Sequence, residues 1–413
     1  MDEKEIQQKS DSGLVSVYLK RMEMIINDSS MIFFNKADVS QNYAFPNASL
    51  NVPTERASIV FGFYMINYEL KSDNKEARFH LRFNKTPVRE THQWSGNKIS
   101  CLTGAFAERQ PVRSTDLSVV YSSNEDGSIS EIKKQTFQIG SLTLPDGPVF
   151  KSYLKDSQSL FKNSNWDYIN KLFLEVNSNM EESGIYVILY TVNVEIPTPA
   201  PNTKFAIRLH ISNKPVSETL IVKKGVSKFS AQFAYAVNLG QGVSTIGLQY
   251  KYDGENAINA ESKDHKVLSI SAFALPRTAQ MENCILTKRV ELFDGQWRDF
   301  GFKKQLDIPS RRQKSAVLVI YNVGLNVDKR ELSIALSVDG KITKNNISTS
   351  NYTQRASIQG YALLLLTEGS HIIDLKYYVH FTNNEELANK RISYDPSLRD
   401  TDDLVSMQII ILE

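Results

Sequence analysis

The feature that most constrains this chain is that it repeats itself three times. Self-similarity of this kind has to be found before local structure is considered, because it sets the whole architecture. The first copy holds the apolar-aromatic run Ile59-Val60-Phe61-Gly62-Phe63-Tyr64-Met65-Ile66-Asn67-Tyr68-Glu69. Tyr186–Glu195 and Val317–Asn326 are its counterparts, and Tyr190 and Tyr321 lie 131 residues apart. The next run ends in turn chemistry each time: Phe79–Phe83 before Asn84-Lys85, Ile207–Ile211 before Ser212-Asn213, and Ile334–Val338 before Asp339-Gly340. Asn, Asp and Gly tolerate positive φ, so these dipeptides between apolar runs predict hairpins. Pro87 and Pro215, just beyond the first two turns, are 128 residues apart.

The register continues downstream. Gln232-Phe233-Ala234-Tyr235-Ala236 parallels Gln359-Gly360-Tyr361-Ala362, and Gly242 parallels Gly369, each just ahead of a further strand. Ile139–Pro145 and Ile270–Pro276 close the first two copies, while Met407–Leu412 closes the third. A period near 130 residues exceeds any solenoid or propeller repeat and matches a duplicated domain with its own core. Ser333–Val338 alternates polar with apolar, as half-buried strands do. Helical signal is confined to Leu14–Met24 and Asn383–Lys390. The expected fold class is therefore all-β: three tandem antiparallel β-sandwiches of jelly-roll or Greek-key type with a short N-terminal extension. The boundaries are 1–30 for the extension, then 31–146, 147–278 and 279–413 for the three repeats.

Copies two and three, above all Gln359–Leu366 with Glu368-Gly369-Ser370-His371, resemble the C1q/TNF-like jelly-roll domain; the first copy fits more loosely. That resemblance implies trimerisation, each jelly roll packing an edge around a threefold axis. Three copies in one chain then suggest an intramolecular pseudo-trimer. Aromatic strands such as Tyr250-Lys251-Tyr252 and Tyr377-Tyr378 are the expected packing between copies; the alternative is three sandwiches strung like beads. The collagen-like stalk of the family is absent, and no acidic cluster matches its calcium sites.

Composition excludes several functions. With 48 Lys+Arg against 46 Asp+Glu the formal charge is +2, and no basic block concentrates it, so a nucleic-acid partner is not expected. The longest apolar run, Ile59–Ile66, is far short of a bilayer span. The N-terminal stretch MDEKEIQQKSDSG is polar and unlike a secretory signal, so the expected location is intracellular or virion-associated. Cys101 and Cys284 read as two idle thiols or one long-range bridge.

Catalytic and cofactor motifs are missing. The six histidines show no H-x-H or H-E-x-x-H spacing, and no nucleophile elbow or phosphate loop occurs. Glu181-Glu182 and the set Asp400, Asp402 and Asp403 read as solvated loops. His80 and His210 lie on corresponding strands and read as packing residues, while His371 and His380 fall on opposite pleat faces. No catalytic, metal or cofactor residue is assigned, and no cofactor is expected. Trp166 and Trp297 recur at one position and read as anchors at the start of their domains. Trp94 differs, standing in the polar stretch Thr91–Asn97, so Trp94, His92 and Asn97 are the candidate ligand contacts: an indole to stack on a sugar, with polar groups for its hydroxyls.

The leading expectation is a non-catalytic structural or interaction protein that binds a protein partner or self-assembles. The alternatives are a carbohydrate-binding module taking a glycan, or a virion or phage appendage.

Overall fold

A computed structural model describes residues 3–9, 16–25, 43–54, 56–70, 77–95, 99–111, 113–122, 132–178, 184–261, 266–293, 295–309, 314–327, 330–350, 355–380, 392–395, 397 and 403–412. The first sandwich contains β1 (Glu3–Lys9), β2 (Ser16–Ile25), β3 (Tyr43–Thr54), β4 (Ser58–Leu70), β5 (Ala77–Phe83), β6 (Thr86–Pro87), β7 (Gln93–Ser95), β8 (Ile99–Gln110), β9 (Arg113–Ser122) and β10 (Ile132–Pro145). The second contains β11 (Val149–Tyr153), β12 (Gln158–Leu160), β13 (Asp167–Ser178), β14 (Ile185–Glu195), β15 (Lys204–Ile211), β16 (Lys214–Lys224), β17 (Lys228–Asn238), β18 (Gly242–Tyr252), β19 (Ile258–Ala260) and β20 (Leu268–Ala274). The third contains β21 (Gln280–Ile285), β22 (Val290–Leu292), β23 (Arg298–Ile308), β24 (Lys314–Asn326), β25 (Leu332–Val338), β26 (Lys341–Ser350), β27 (Arg355–Thr367), β28 (Gly369–Val379), β29 (Ile392–Tyr394) and β30 (Leu404–Leu412).

One strand order recurs. Second-sandwich sheets run β11-β20-β14-β17 and β13-β18-β15-β16, and those of the third run β21-β30-β24-β27 and β23-β28-β25-β26. The first has β2-β10-β4-β8, with β1 added outside β2, and β3-β9-β5-β6. Setting aside the short two-stranded ladders, each copy orders its eight main strands 1-8-3-6 and 2-7-4-5, which is the doubly wound antiparallel connectivity of a jelly roll.

Local chemistry explains the shared hairpins. Asn84 and Lys85, Ser212 and Asn213, and Asp339 and Gly340 all have both residues at positive φ, as a two-residue turn matched to strand twist requires. Gly242 and Gly369 open β18 and β28 at φ +105° and +118°, a region closed to most side chains.

One expectation is corrected. The stretch expected as a helix, Leu14–Met24, holds β2, which pairs with β1 on one side and β10 on the other. Tyr18 and Met22 imitate helical spacing, but ladder pairing on both sides of Ser16–Ile25 decides the conformation. The second candidate helix, Asn383–Lys390, lies outside the described residues.

Half-burial describes only one sheet of each sandwich. From Leu172, β13 alternates buried and exposed strictly to Ser178. By contrast, all nine residues of β30, and every residue of β24 except its two ends, are buried. On β24, Val317, Val319, Tyr321 and Val323 enter their own sandwich's core, while Ala316, Leu318 and Ile320 join a cluster with Phe61, Phe63 and Phe273 from the other two copies. A sheet covered on both faces has no position to spare for polar residues, hence the continuous apolar runs.

Candidate functional site: the seams between sandwiches

The doubly covered sheets face one another. Phe61 and Phe63 of β4, Phe273 of β20 and Tyr361 of β27 bring rings from all three copies together, with centroid separations of 5.6 Å for Phe61–Phe273 and 5.5 Å for Phe63–Tyr361. Around this centre the copies touch head to tail. β7 and β8 of the first lie on β17 of the second; β16 of the second lies on β24, β27 and β30 of the third; β26 of the third returns to β4, β8 and β10 of the first. The contacts form a closed ring.

These are not the aromatics expected between copies. Tyr250 and Tyr252 gather around Phe205 inside the second sandwich, and Tyr377 packs at a tilt against Phe300 inside the third. Their strands belong to the outer sheets, whose apolar face already has a core of its own to fill.

The first two seams share a recognition device. Pro-Val-x-Glu-Thr occurs at Pro87–Thr91 and again at Pro215–Thr219. The threonine hydroxyl folds the segment, donating to the Val88 carbonyl in one copy and the Val216 carbonyl in the other, 2.7 Å in both. The same oxygens accept the Leu81 and Leu209 amides at 2.8 Å. Buried Tyr64 and Tyr190 donate to the carbonyls of Thr91 and Thr219 at 2.9 and 2.7 Å. Burial raises both phenols well above their ordinary pKa, so they stay neutral donors.

Thus braced, the segment offers its glutamate carbonyl to the next copy. Thr191 Oγ1 donates to the Glu90 carbonyl at 2.6 Å; at the matching place Asn322 Nδ2 donates to the Glu218 carbonyl at 3.1 Å and to that of Leu220 at 3.0 Å. Glutamine amides clamp the edge strands: Gln232 binds both backbone groups of Ala105, and Gln408 both those of Ala236. An edge strand so capped has no unpaired backbone at that point to recruit another chain.

The first seam adds charge. Lys151 reaches Glu90 at 3.1 Å and Glu108 at 2.6 Å, and the Tyr153 hydroxyl donates to Glu90. Burial alone would raise the Glu90 carboxyl, but Lys151 and Tyr153 outweigh it and hold it below the usual range. A cleft of about 760 Å³ opens beside these groups. Its charges are matched internally, Arg109 to Asp146 at 2.5 Å and Lys151 to Glu108.

The candidate ligand contacts fall in this same seam. Trp94 is only 3% exposed; its backbone amide donates to Ser230 Oγ at 3.1 Å and its indole to the Phe229 carbonyl at 3.4 Å. His92 is 8% exposed, stacked on His80 at 4.2 Å, and its carbonyl accepts from Asn193 at 2.7 Å. Trp94 and His92 therefore present no face to a sugar: Thr91, His92, Gln93 and Trp94 are all buried, and Trp94 is bonded to the second sandwich. Asn97 lies outside the described residues.

The remaining candidates sort simply. Trp166 stacks on the Arg208 guanidinium at 4.0 Å, and Trp297 packs at a tilt against Tyr378 at 5.5 Å. Tyr168 bonds His210 at 3.0 Å, and His371 and His380 bond Asp339 and Ser333 respectively at 2.8 Å. No disulfide joins Cys101 and Cys284. Among the described residues no group of three His, Cys, Asp or Glu is placed to hold a metal, and no helix is long and apolar enough to cross a membrane. Asp403 is buried and accepts the Asp395 amide at 3.1 Å; Glu181, Glu182, Asp400 and Asp402 lie outside the described residues.

Sequence reasoning missed the Glu90 and Glu218 carbonyls and their partners Thr191 and Asn322. The repeated Pro-Val-x-Glu-Thr was the available signal, though a backbone carbonyl leaves no trace in residue identity.

No family model matches the chain, and no curated protein matches it. Solved structures with some likeness include infectious bursal virus-derived T=1 particles (8% identity, 88% of this chain and 72% of that one, TM-score 0.23). Others are from the lipid-containing bacteriophage PM2 (10%, 90% and 98%, TM-score 0.18) and tripeptidyl peptidase 2 (11%, 87% and 32%, TM-score 0.18). At such scores none of these likenesses bears on family or role.

Proposed function

We propose that this chain is a non-catalytic structural protein, a single-chain counterpart of a C1q/TNF-like jelly-roll trimer whose work is to hold three sandwiches in fixed register and present their outer surfaces to a partner. The observation that carries this reading is the head-to-tail ring, with the Glu90 and Glu218 carbonyls met by equivalent residues of the following copy. Among the described residues, apolar side chains of all three copies share one buried cluster, covering surface that separate sandwiches would expose.

Light scattering and small-angle X-ray scattering on the purified chain test it. The expected result is a 46.8 kDa particle. Its radius of gyration is expected at roughly 22 Å. A markedly larger radius, meaning sandwiches strung apart, or a trimeric mass would overturn it.

A further inference from the structure

The doubly covered sheet of each sandwich has a matching edge, and the three copies treat it differently. In the first, β1 lies outside β2 and pairs with it antiparallel along its whole length, from Glu3 opposite Met22 to Lys9 opposite Ser16. β11 and β21 hold the place of β2 in the other two sandwiches, and among the described residues no strand lies beyond either. The correspondence runs residue by residue. Gln138 of β10 lies opposite Arg21, and Ser406, its counterpart on β30, lies opposite Ile285. Residues 16–22, which β1 covers, therefore map onto residues 280–286, a stretch that takes in all of β21.

The connections explain why the later edges have no strand of their own. β1 comes from the chain that precedes β2. Before β11 there are only Asp146, Gly147 and Pro148 after the end of β10, and before β21 only residues 275–279 after the end of β20. Neither connection is long enough to fold back as a strand, so a strand on these edges has to come from another molecule. The β1 of a second copy is already paired with its own β2.

Of the two edges, β21 is the open one. β11 runs against the first sandwich, where Lys151 and Tyr153 are engaged with Glu90 and Glu108. On β21, Gln280, Glu282 and Asn283 are exposed. The Leu286 amide donates to the Val405 carbonyl at 2.9 Å. Facing groups alternate along an antiparallel ladder, so the amides and carbonyls of Met281, Asn283 and Ile285 point away from β30. Side chains hold the strand in place: Asn283 Oδ1 accepts from Gln408 Nε2 at 2.8 Å, and Lys304 pairs with Glu282 at 3.0 Å. A fixed strand with a row of outward backbone groups is a template for one more strand.

We propose that β21 is the docking edge for an extended segment of a separate protein, which adds antiparallel to it as β1 adds to β2. The proposal rests on the structural reading above and names the surface and the mode by which a partner is held. Main-chain pairing supplies the affinity, so the segment is free of proline and about the length of β1, 7 residues. Opposite Glu282, where β1 by the same register has Gln7, a neutral or basic side chain fits and an acidic one is repelled.

A labelled synthetic peptide of residues 1–10 of this chain, the sequence that the matching edge accepts, is titrated against the full chain by fluorescence anisotropy. Saturable binding is expected, weakened by Gln7→Glu in the peptide and lost on N-methylation of Ile6, whose amide faces Asn283 in this register. Met281→Pro removes an outward amide and leaves the ladder to β30 whole; it is expected to weaken binding by roughly tenfold or more. Its unfolding temperature is expected to stay unchanged, and Met281→Leu to bind as the wild type does. Should Met281→Pro not fold, the N-methylated peptide tests the same pairing from the other strand. No saturable binding, or binding that survives N-methylation and Met281→Pro, overturns the proposal. Self-association that Met281→Pro abolishes also overturns it, giving the edge to a second copy. Peptide binding that persists while the radius of gyration shows sandwiches strung apart sinks the ring alone.

Discussion

The Gln408 side chain pairs with both backbone groups of Ala236, its Oε1 accepting from the amide and its Nε2 donating to the carbonyl, each at 2.7 Å. Ala236 sits on β17, an edge strand, so without Gln408 a buried donor and a buried acceptor lose their partners together. Gln408→Ala is expected to cost about 2–4 kcal/mol, the penalty for two unpaired buried groups. Chemical denaturation checks this, and a change within error would show that the clamp is energetically idle.

The Tyr321 ring lies across Gly360, its cross-strand neighbour, so closely that a Cβ there would stand inside the ring. Tyr64 and Gly104 repeat the relationship in the first copy. The second copy has Phe233 opposite Tyr190, whose ring turns away to an edge-on contact at 6.5 Å. Gly360→Ala is therefore expected to destabilise by about 2 kcal/mol or more through overpacking. Gly240→Ala, where nothing lies within 4 Å of the added carbon, is the matched control and is expected to be near neutral.

Gln138 is fully buried, yet neither its Oε1 nor its Nε2 has a hydrogen-bond partner. It occupies on β10 the place that Ser406 takes on β30, where the hydroxyl donates to the Glu218 carbonyl at 3.4 Å. An amide without partners pays desolvation and receives nothing in return. Gln138→Leu is expected to raise stability by about 1–3 kcal/mol. A lower denaturation midpoint in the variant would contradict this.

Asp374 is 3% exposed on β28 beside Asp299, Lys303, Lys376 and its cross-strand neighbour Ser337. Burial first, and Asp299 second, raise its pKa from 3.8 to about 7. The folded chain then keeps a proton that the unfolded chain releases. The carboxyl's contribution to stability is thus full below pH 3.8 and declines as pH rises toward about 7. Asp374→Asn removes this dependence. Across that window the wild type is expected to lose stability relative to the variant by on the order of 4 kcal/mol, measured by denaturation at several pH values. Parallel profiles would sink the assignment.

Much of the architecture was readable because it depends on local chemistry repeated three times. Asn84-Lys85, Ser212-Asn213 and Asp339-Gly340 announce the same hairpin, and Gly242 and Gly369 the same strand opening. The seams were less readable, since Glu90 meets Thr191 across 101 residues and through a carbonyl that every residue possesses. The Trp94 stretch misled for a related reason: polar residues mark solvent in most chains, whereas here Gln93, Asn193 and Ser230 satisfy one another between two sandwiches. The unbroken run Ile59–Ile66 did hold a clue to the ring, because alternation is lost when a strand is covered on both sides.

The connections between sandwiches are short, with β10 ending at Pro145 and β11 beginning at Val149. Separate subunits must find one another, and their assembly weakens on dilution; tethered copies are held at a fixed local concentration that no dilution alters. Identical subunits are also bound to repeat every surface three times. One chain is free to place the exposed Phe173 ring on its second outer sheet and the Asp299, Lys303 and Lys376 ion pairs at the matching place on its third, so linkage makes a threefold scaffold whose faces need not be alike.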